Sequence, residues 1–475
     1  MKRSLRRGCP GATVSSETAS GPQPSEALRH GLVAAYDAVA RRRGGAAAVT
    51  VEGTGAVSYD DVRRRARGVG LVLSERYGVG GGDRVVISCG GHAAAEVVAI
   101  LGCAAAGAAW VPAAPGRTRA ADAEAAARAL VRVAADAGAV AAVIADDADL
   151  DACGAPPELR PSAQRRSRAA RDGRPLARVG EAQFWAAAVA GAKCCRGAVV
   201  LANSGDIDGT VDAVAALCLA PGAGRKRRPA PVPAVAYVLF TSGSTGRPKG
   251  VLGTLRGLTA RLRWQWDALP WAAGEVQLRR TPLVFVDAVA EILGAALCGV
   301  PLWAPAPAAA ARLGAAGIVA RAAAAGVTRC TMLPSQLADA LASFAARAAR
   351  WPALRVATVS GEPLWDPEAL AATLRGVAPA ARLLSLYGSS ECAGDVACYE
   401  PRAGETSPAA AGAGATLGRA ICGATLVVAR PDDRGGWCRC PPGCAGELVV
   451  VGPVVAAGYC APPGAAPAAN FLTAA

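Results

Sequence analysis

The sequence predicts an α/β fold with a largely parallel sheet, ending in a small β-rich subdomain. Three observations carry that expectation. Strand–helix–strand units of similar length repeat between residues 57 and 112. The alternation resumes at Val235 and persists to Tyr399. From Leu417 onward, short apolar runs separated by turns replace it, at Ala424–Val428 and Glu447–Val451. The chain has 475 residues, 52% of them apolar, so a large core is available and global disorder is excluded.

The elements follow in order. Residues 1–28 are basic and rich in Pro, Gly and Ser, and are expected to form a disordered tail. Residues 29–154 form a first α/β subdomain. A helix-like stretch starts at Leu32, and Val57-Ser58-Tyr59-Asp60 joins a strand to a helix with acids in its first turn. That helix is expected to continue to Leu73. Arg84–Ser88 reads as a buried strand, His92–Ala106 as a helix and Ala108–Pro112 as a second strand. Residues 155–232 mix Pro, Arg, Ser and Gly, with one helix expected around Phe184–Ala192, and read as an insertion or loop. Residues 233–405 are expected to form a second α/β subdomain, and 406–475 the β-rich one.

The charge of +14 says little about partners. Only four of the 51 basic residues are lysines (Lys2, Lys193, Lys226 and Lys249), which resembles a coding bias toward arginine. The densest basic runs, Arg165–Arg171 and Arg225–Arg228, sit beside Pro, Gly or Ser and read as solvated linker. No nucleic-acid partner is expected. Val97–Gly116 carries no charge, but Ala and Gly dominate it and Pro112 and Pro115 interrupt it, so no membrane span is expected. Sixteen cysteines without a compact pairing framework suit reduced thiols and a cytoplasmic location. The basic N-terminus leaves organellar targeting open. Cys438, Cys440 and Cys444 offer three thiolates without a fourth ligand, so an ordinary loop is expected there rather than zinc.

The chemistry concentrates in Tyr237-Val238-Leu239-Phe240-Thr241-Ser242-Gly243-Ser244-Thr245-Gly246-Arg247-Pro248-Lys249-Gly250. A buried strand runs into hydroxyls, glycines and one of the four lysines. Such a loop presents unobstructed backbone N–H groups that wrap phosphate oxygens. Lys249 adds a flexible positive charge suited to a polyphosphate. The spacing departs from the Walker pattern, because Lys249 lies between Pro248 and Gly250. A second candidate is Leu386-Tyr387-Gly388-Ser389-Ser390-Glu391: Tyr387 offers a ring for stacking on a base, and Glu391 a hard oxygen for Mg²⁺.

Thr241–Gly250 resembles the signature loop of the adenylate-forming superfamily of acyl-CoA synthetases, peptide-synthetase adenylation domains and luciferases. Leu386–Glu391 resembles that superfamily's adenine- and magnesium-contacting motif, with Ser390 where threonine is more usual. Ser360-Gly361-Glu362-Pro363 resembles its loop beside the adenine. Val57–Tyr59, Gly107–Pro112, Leu417–Arg419, Gly446–Leu448 and Gly458-Tyr459 resemble further motifs in the same order, so the likeness spans roughly residues 30–460. Gly253–Leu258 and the Trp264/Trp266 pair resemble acyl-activating enzymes of the β-alanine-activating type, with peptide-synthetase adenylation domains next nearest.

The resemblance implies a large domain of stacked sheets flanked by helices. It implies ATP-dependent activation of a small carboxylic acid, in this branch an amino acid such as β-alanine, to an acyl-adenylate. Transfer to coenzyme A or to the phosphopantetheine thiol of a carrier domain would follow. It implies catalytic roles for Thr245, Lys249 and Glu391, with Mg²⁺ on Glu391. Nucleotide contacts fall on Thr241, Ser242, Gly243, Ser244, Thr245, Gly246, Lys249, Gly361, Glu362, Pro363, Tyr387, Gly388, Ser389 and Ser390. In peptide-synthetase domains a pocket aspartate directly follows a phenylalanine. Here the order is Phe285-Val286-Asp287, one position late, which leaves open whether Asp287 faces the pocket through a bulge or starts a helix in solvent. The superfamily's ribose-binding aspartate and the lysine of its mobile C-terminal domain find no match before Ala475, where Lys249 is the last lysine. The sequence thus reads as the large domain without its lid, and the alternative expectation is a nucleotide-binding remnant without turnover.

Overall fold

The computed structural model describes residues 24–113, 132–145, 198–201, 235–241, 248–401, 415–432 and 436–460. Two large sheets dominate these residues. The first has six strands in the order Ala198–Leu201, Ala141–Ala145, Arg84–Ser88, Ala109–Pro112, Val235–Thr241, Lys249–Thr254. Its strands pair in parallel except for the final hairpin. The second has nine, from Arg419–Ala420 through Gly394–Tyr399, Arg382–Ser389, Val356–Val359, Arg329–Met332, Gln277–Leu278 and Leu302–Ala304 to Ala47–Val51 and Gly55–Ser58. A separate antiparallel sheet of three strands joins Trp437–Arg439, Thr425–Pro431 and Glu447–Val451.

Side-chain alternation along the strands explains the layering. Val85 and Ile87 point into one core and Val86 into another; Tyr237 and Leu239 divide from Val238 in the same way. The larger core joins both big sheets through helices Leu32–Arg43, Tyr59–Leu71, Ala93–Ala105, Leu255–Ala268 and Val286–Ala296. Helices Pro307–Ala324, Pro334–Ala346 and Pro367–Val377 cover the outer face of the nine-stranded sheet. A sheet buried on both faces needs near-continuous apolar strands, and Arg84-Val85-Val86-Ile87-Ser88 is such a strand.

The expected elements are present with small shifts. The helix begun by Ser58 runs from Tyr59, with the Ser58 hydroxyl accepting the Asp61 N–H at 3.1 Å, but ends at Leu71 and passes into a π-helical turn over Val72–Arg76. The last residues of the stretch 1–28 are ordered, and residues 1–23 lie outside the described residues. Pro24–Ala27 is helical and Leu28 is buried in the main core, because one leucine packed on helix Leu32–Arg43 outweighs a polar context. The helix expected at 184–192 lies outside the described residues.

The hairpin Val235–Thr241/Lys249–Thr254 positions the phosphate-binding candidate. A methyl group on Gly253 would overlap the Tyr237 ring, which is fully buried, so only glycine fits there. Gly253→Ala is expected to destabilise the chain by about 1–3 kcal/mol, the usual cost of overpacking. Urea denaturation checks this, and an unchanged midpoint would contradict it.

Candidate active site

Thr241 and Lys249 face each other across the antiparallel pair, so residues 242–248 form the loop of a β-hairpin. The Thr241 hydroxyl also donates to the Lys249 carbonyl at 3.4 Å. Ser242, Gly243, Ser244, Thr245 and Gly246 lie outside the described residues. What is placed is the loop's base, and its base carries the lysine.

Lys249 does not stand alone. Its Nζ lies 5.5 Å from the centre of the Tyr459 ring, and the Tyr459 hydroxyl donates to Glu391 Oε1 at 2.7 Å. Backbone pairing holds this arrangement. The segment 456–460 runs along the outer side of Lys249–Thr254, with Cys460 N–H to the Gly250 carbonyl at 2.6 Å and Leu252 N–H to the Gly458 carbonyl at 2.9 Å. Ala456 N–H reaches the Glu391 carbonyl at 2.8 Å. One short segment thus ties strand Lys249–Thr254 to the Glu391 turn. Tyr459 appears in a motif at the sequence level, but its hydroxyl contact with Glu391 has no local signal, because 68 residues separate the two.

Glu391 sits in a one-turn 3₁₀ helix, Ser390–Cys392, which ends in the left-handed Ala393. Strand Arg382–Ser389 leads into it. Tyr387 is 43% exposed, so its ring is accessible. A Cβ at Gly388 would overlap the Gly394 carbonyl, so glycine is required for the bulge between Tyr387 and Gly388. Gly361, with φ +88°, Glu362 and Pro363 are exposed at the end of strand Val356–Val359, and Glu362 Oε2 accepts the Ser335 N–H at 3.3 Å.

Between helices Leu255–Ala268 and Val286–Ala296 and the nine-stranded sheet lies a cavity of about 30 Å³ lined by Arg261, Gln265, Asp287, Glu291, Leu386 and Asp395, among others. Asp287 is the second residue of that helix, with no bulge before it, and it lines the cavity. It forms no hydrogen bond or ion pair among the described residues. Burial pushes its carboxyl up to about 7, with Asp395 and Glu291 adding to the rise and Arg261 opposing it. Phe285, which precedes the helix, is 58% exposed and does not line the cavity. The aromatic of the Phe285-Val286-Asp287 run therefore lies outside the cavity, while the acid is inside.

The other acids are engaged. Glu291 accepts the Arg280 and Thr281 N–H groups at 2.5 and 3.2 Å, and Arg279 lies 3.8 Å away while pairing with Glu96 at 2.7 Å. Burial raises the Glu291 carboxyl, and Arg279 with these donors opposes the rise. Asp395 is paired with Arg261 at 2.7 Å. Arg261 and Asp395 escaped the sequence reading. The signal for Arg261 is a charge on the apolar face of its helix, between Leu258 and Leu262, which requires a buried partner. Among the described residues no three His, Cys, Asp or Glu side chains cluster as a metal site.

Lys249 and Glu391 thus meet across the Tyr459 side chain at one edge of an α/β protein. The chain belongs to the AMP-binding enzyme family, whose profile matches residues 36–460. The β-alanyl-bioamine nonribosomal peptide synthetase Ebony of Drosophila melanogaster is 46% identical over 69 residues, 14% of this chain and 8% of that protein. Enterobactin synthase component F of Shigella flexneri is 32% identical over 226 residues, 47% of this chain and 17% of that protein. Matches to these curated relatives therefore span less than a fifth of their length. The crystal structure of IdnL7 superposes with a TM-score of 0.64 at 25% identity, covering 91% of this chain and 74% of that one. A long-chain fatty-acid CoA ligase of Rhodopseudomonas palustris gives 0.63 at 20% identity over 91% of each chain, a likeness of fold alone. No helix among the described residues is long and apolar enough to cross a membrane.

Proposed function

We propose that this chain activates a short amino acid, of the β-alanine type, as its acyl-adenylate. The carboxylate attacks the α-phosphorus of ATP, a C–O–P bond forms, and pyrophosphate leaves. The acyl group then passes to a thiol, either of coenzyme A or of a carrier's phosphopantetheine arm: the C–S bond forms, the acyl C–O bond to AMP breaks, AMP leaves and the thiol proton is lost to solvent. The observation that carries the reading is Asp287, a carboxylate with no partner among the described residues, in a cavity also lined by Leu386 and Asp395 from the strands on either side of the Glu391 turn. A partnerless carboxylate in such a place asks for a cation, and the ammonium group of an amino acid supplies one. The β-alanyl substrate in the name of the Ebony relative supports the same class.

Both reactants are anions, so their repulsion is part of the barrier. Lys249 would neutralise the transferring phosphates, and the N–H groups of 242–247 would donate to their oxygens. Glu391 fits a hard divalent cation: Tyr459 holds one of its oxygens, and the other has no donor among the described residues. Glu391 would hold Mg²⁺ there, which would supply charge neutralisation for the phosphates. Tyr387 would stack on the adenine, with Gly361, Glu362 and Pro363 at its edge, and Gly388, Ser389 and Ser390 would carry the turn between adenine and metal.

Tyr459→Phe keeps the ring over Lys249 and removes the hydroxyl that orients Glu391. Mg²⁺ affinity in the presence of ATP is expected to fall about 10-fold, the size of effect seen when a partner of a metal-binding carboxylate is lost. A magnesium titration of ATP binding reads it, and an unchanged midpoint would remove the orienting role.

The proposal is tested with hydrolysis-resistant acyl-sulfamoyladenosines in calorimetric titrations. The β-alanyl compound is expected to bind at least ~10-fold more tightly than the propionyl compound, which differs only in lacking the amine. Equal affinity would overturn the amino-acid reading.

A further inference from the structure

Of the three carboxylates lining the cavity, Asp287 and Asp395 are not equivalent. Asp395 is 2% exposed and Arg261 is 5% exposed. The guanidinium meets Asp395 Oδ2 through Nε at 2.9 Å and through a terminal nitrogen at 2.7 Å. Its remaining nitrogen donates to Gln265 Oε1 at 3.1 Å, and its plane lies 5.0 Å from the Trp264 ring. A bidentate pair with a third hydrogen bond and an aromatic neighbour is a fixed geometry, not a surface ion pair. Asp287, on the neighbouring helix, is left with no such partner.

We propose that Arg261 is a specificity-determining residue: its guanidinium stands where a second cationic group of the substrate would otherwise sit, so the pocket accepts one ammonium and refuses two. This rests on the amino-acid reading above. The other charged groups facing Asp287 do not alter the count. Glu291 is satisfied by two backbone N–H groups and by Arg279. Arg329 is paired with Glu275 at 2.6 Å. With Asp395 neutralised internally, one carboxylate remains for the ligand, and a diamino acid would bring its second charge against Arg261. Like charges forced together in a desolvated pocket cost affinity steeply, which is how a repulsive element gives selectivity.

Three acyl-sulfamoyladenosines test it: β-alanyl, 2,3-diaminopropionyl and propionyl. The wild-type chain is expected to prefer the β-alanyl over the diaminopropionyl compound by about 10-fold or more. Arg261→Met frees Asp395 and is expected to close or invert that preference. Because this variant leaves a buried carboxylate unpaired and can fail to fold, two others complete the series. Arg261→Met with Asp395→Leu removes both charges together and is expected to keep the preference for β-alanyl over propionyl. Asp395→Asn leaves Arg261 uncompensated and is expected to lower β-alanyl binding about 10-fold while sparing propionyl. Arg261→Met folded with wild-type discrimination overturns the proposal, as does Asp395→Asn with an unchanged β-alanyl to propionyl ratio. Equal binding of β-alanyl and propionyl by the wild-type chain instead defeats the amino-acid reading itself.

Discussion

Asp287→Asn is expected to lower affinity for a β-alanyl-adenylate mimic about 100-fold and to leave the propionyl mimic unaffected. The substitution keeps shape and removes one charge, so what it reads is the ion pair with the ligand. Losing one partner of a desolvated charge pair costs roughly 2–5 kcal/mol, and each 1.4 kcal/mol is tenfold. The same group sets a pH dependence. Its carboxyl is raised to about 7, while the ligand's amine stays charged across this range, so β-alanyl affinity should rise as pH climbs through about 7 and level off above it. For the ligand-free chain the sign reverses. The unfolded carboxyl ionises near 3.8, so the stability this group contributes is present below that value and lost as pH rises through about 7. Calorimetry of the mimics between pH 5 and 9 checks the first, and urea midpoints across the same range check the second. A flat profile in both would remove Asp287 from the pocket's chemistry.

Lys249→Met is expected to slow acid-dependent pyrophosphate release by about 100- to 1,000-fold, the scale for removing one preorganised donor from a developing charge. Methionine keeps most of the aliphatic stem and loses only the cation near the Tyr459 ring, so the thermal midpoint should move by no more than about 2 °C. The hairpin pairing of Thr241 with Lys249 and the Cys460 N–H bond to Gly250 are backbone contacts that the substitution leaves intact. A rate within a few-fold of wild type would show that the phosphates lie elsewhere.

Much of this fold is written in local pattern. Arg84–Ser88 and Glu447–Val451 coincide with their expected strands, since unbroken apolar runs bounded by turns leave little choice. Pairing between distant strands is another matter. Ala47–Val51 lies beside Leu302–Ala304, and Ala109–Pro112 beside Val235–Thr241, so each large sheet draws on both halves of the chain. No period or turn residue encodes such a long-range partner. The site divides along the same line. The glycine-rich loop, Lys249 and Tyr387–Glu391 are contiguous motifs, each bearing its chemistry in a few residues. The Tyr459 hydroxyl on Glu391 and the Arg261–Asp395 pair, 134 residues apart, arise only when the sheets close. Asp287 is intermediate: its residue type was legible, but the helix that turns it inward without a bulge was not.

The most direct test of this account is pyrophosphate release by the 475-residue chain with Mg-ATP and a panel of short amino acids, diamino acids and fatty acids. The account predicts a burst of adenylate with a short monoamino acid, lost in both Asp287→Asn and Lys249→Met. Release with no acid in the panel, while Mg-ATP remains bound, would contradict it and make the chain a nucleotide-binding module without turnover.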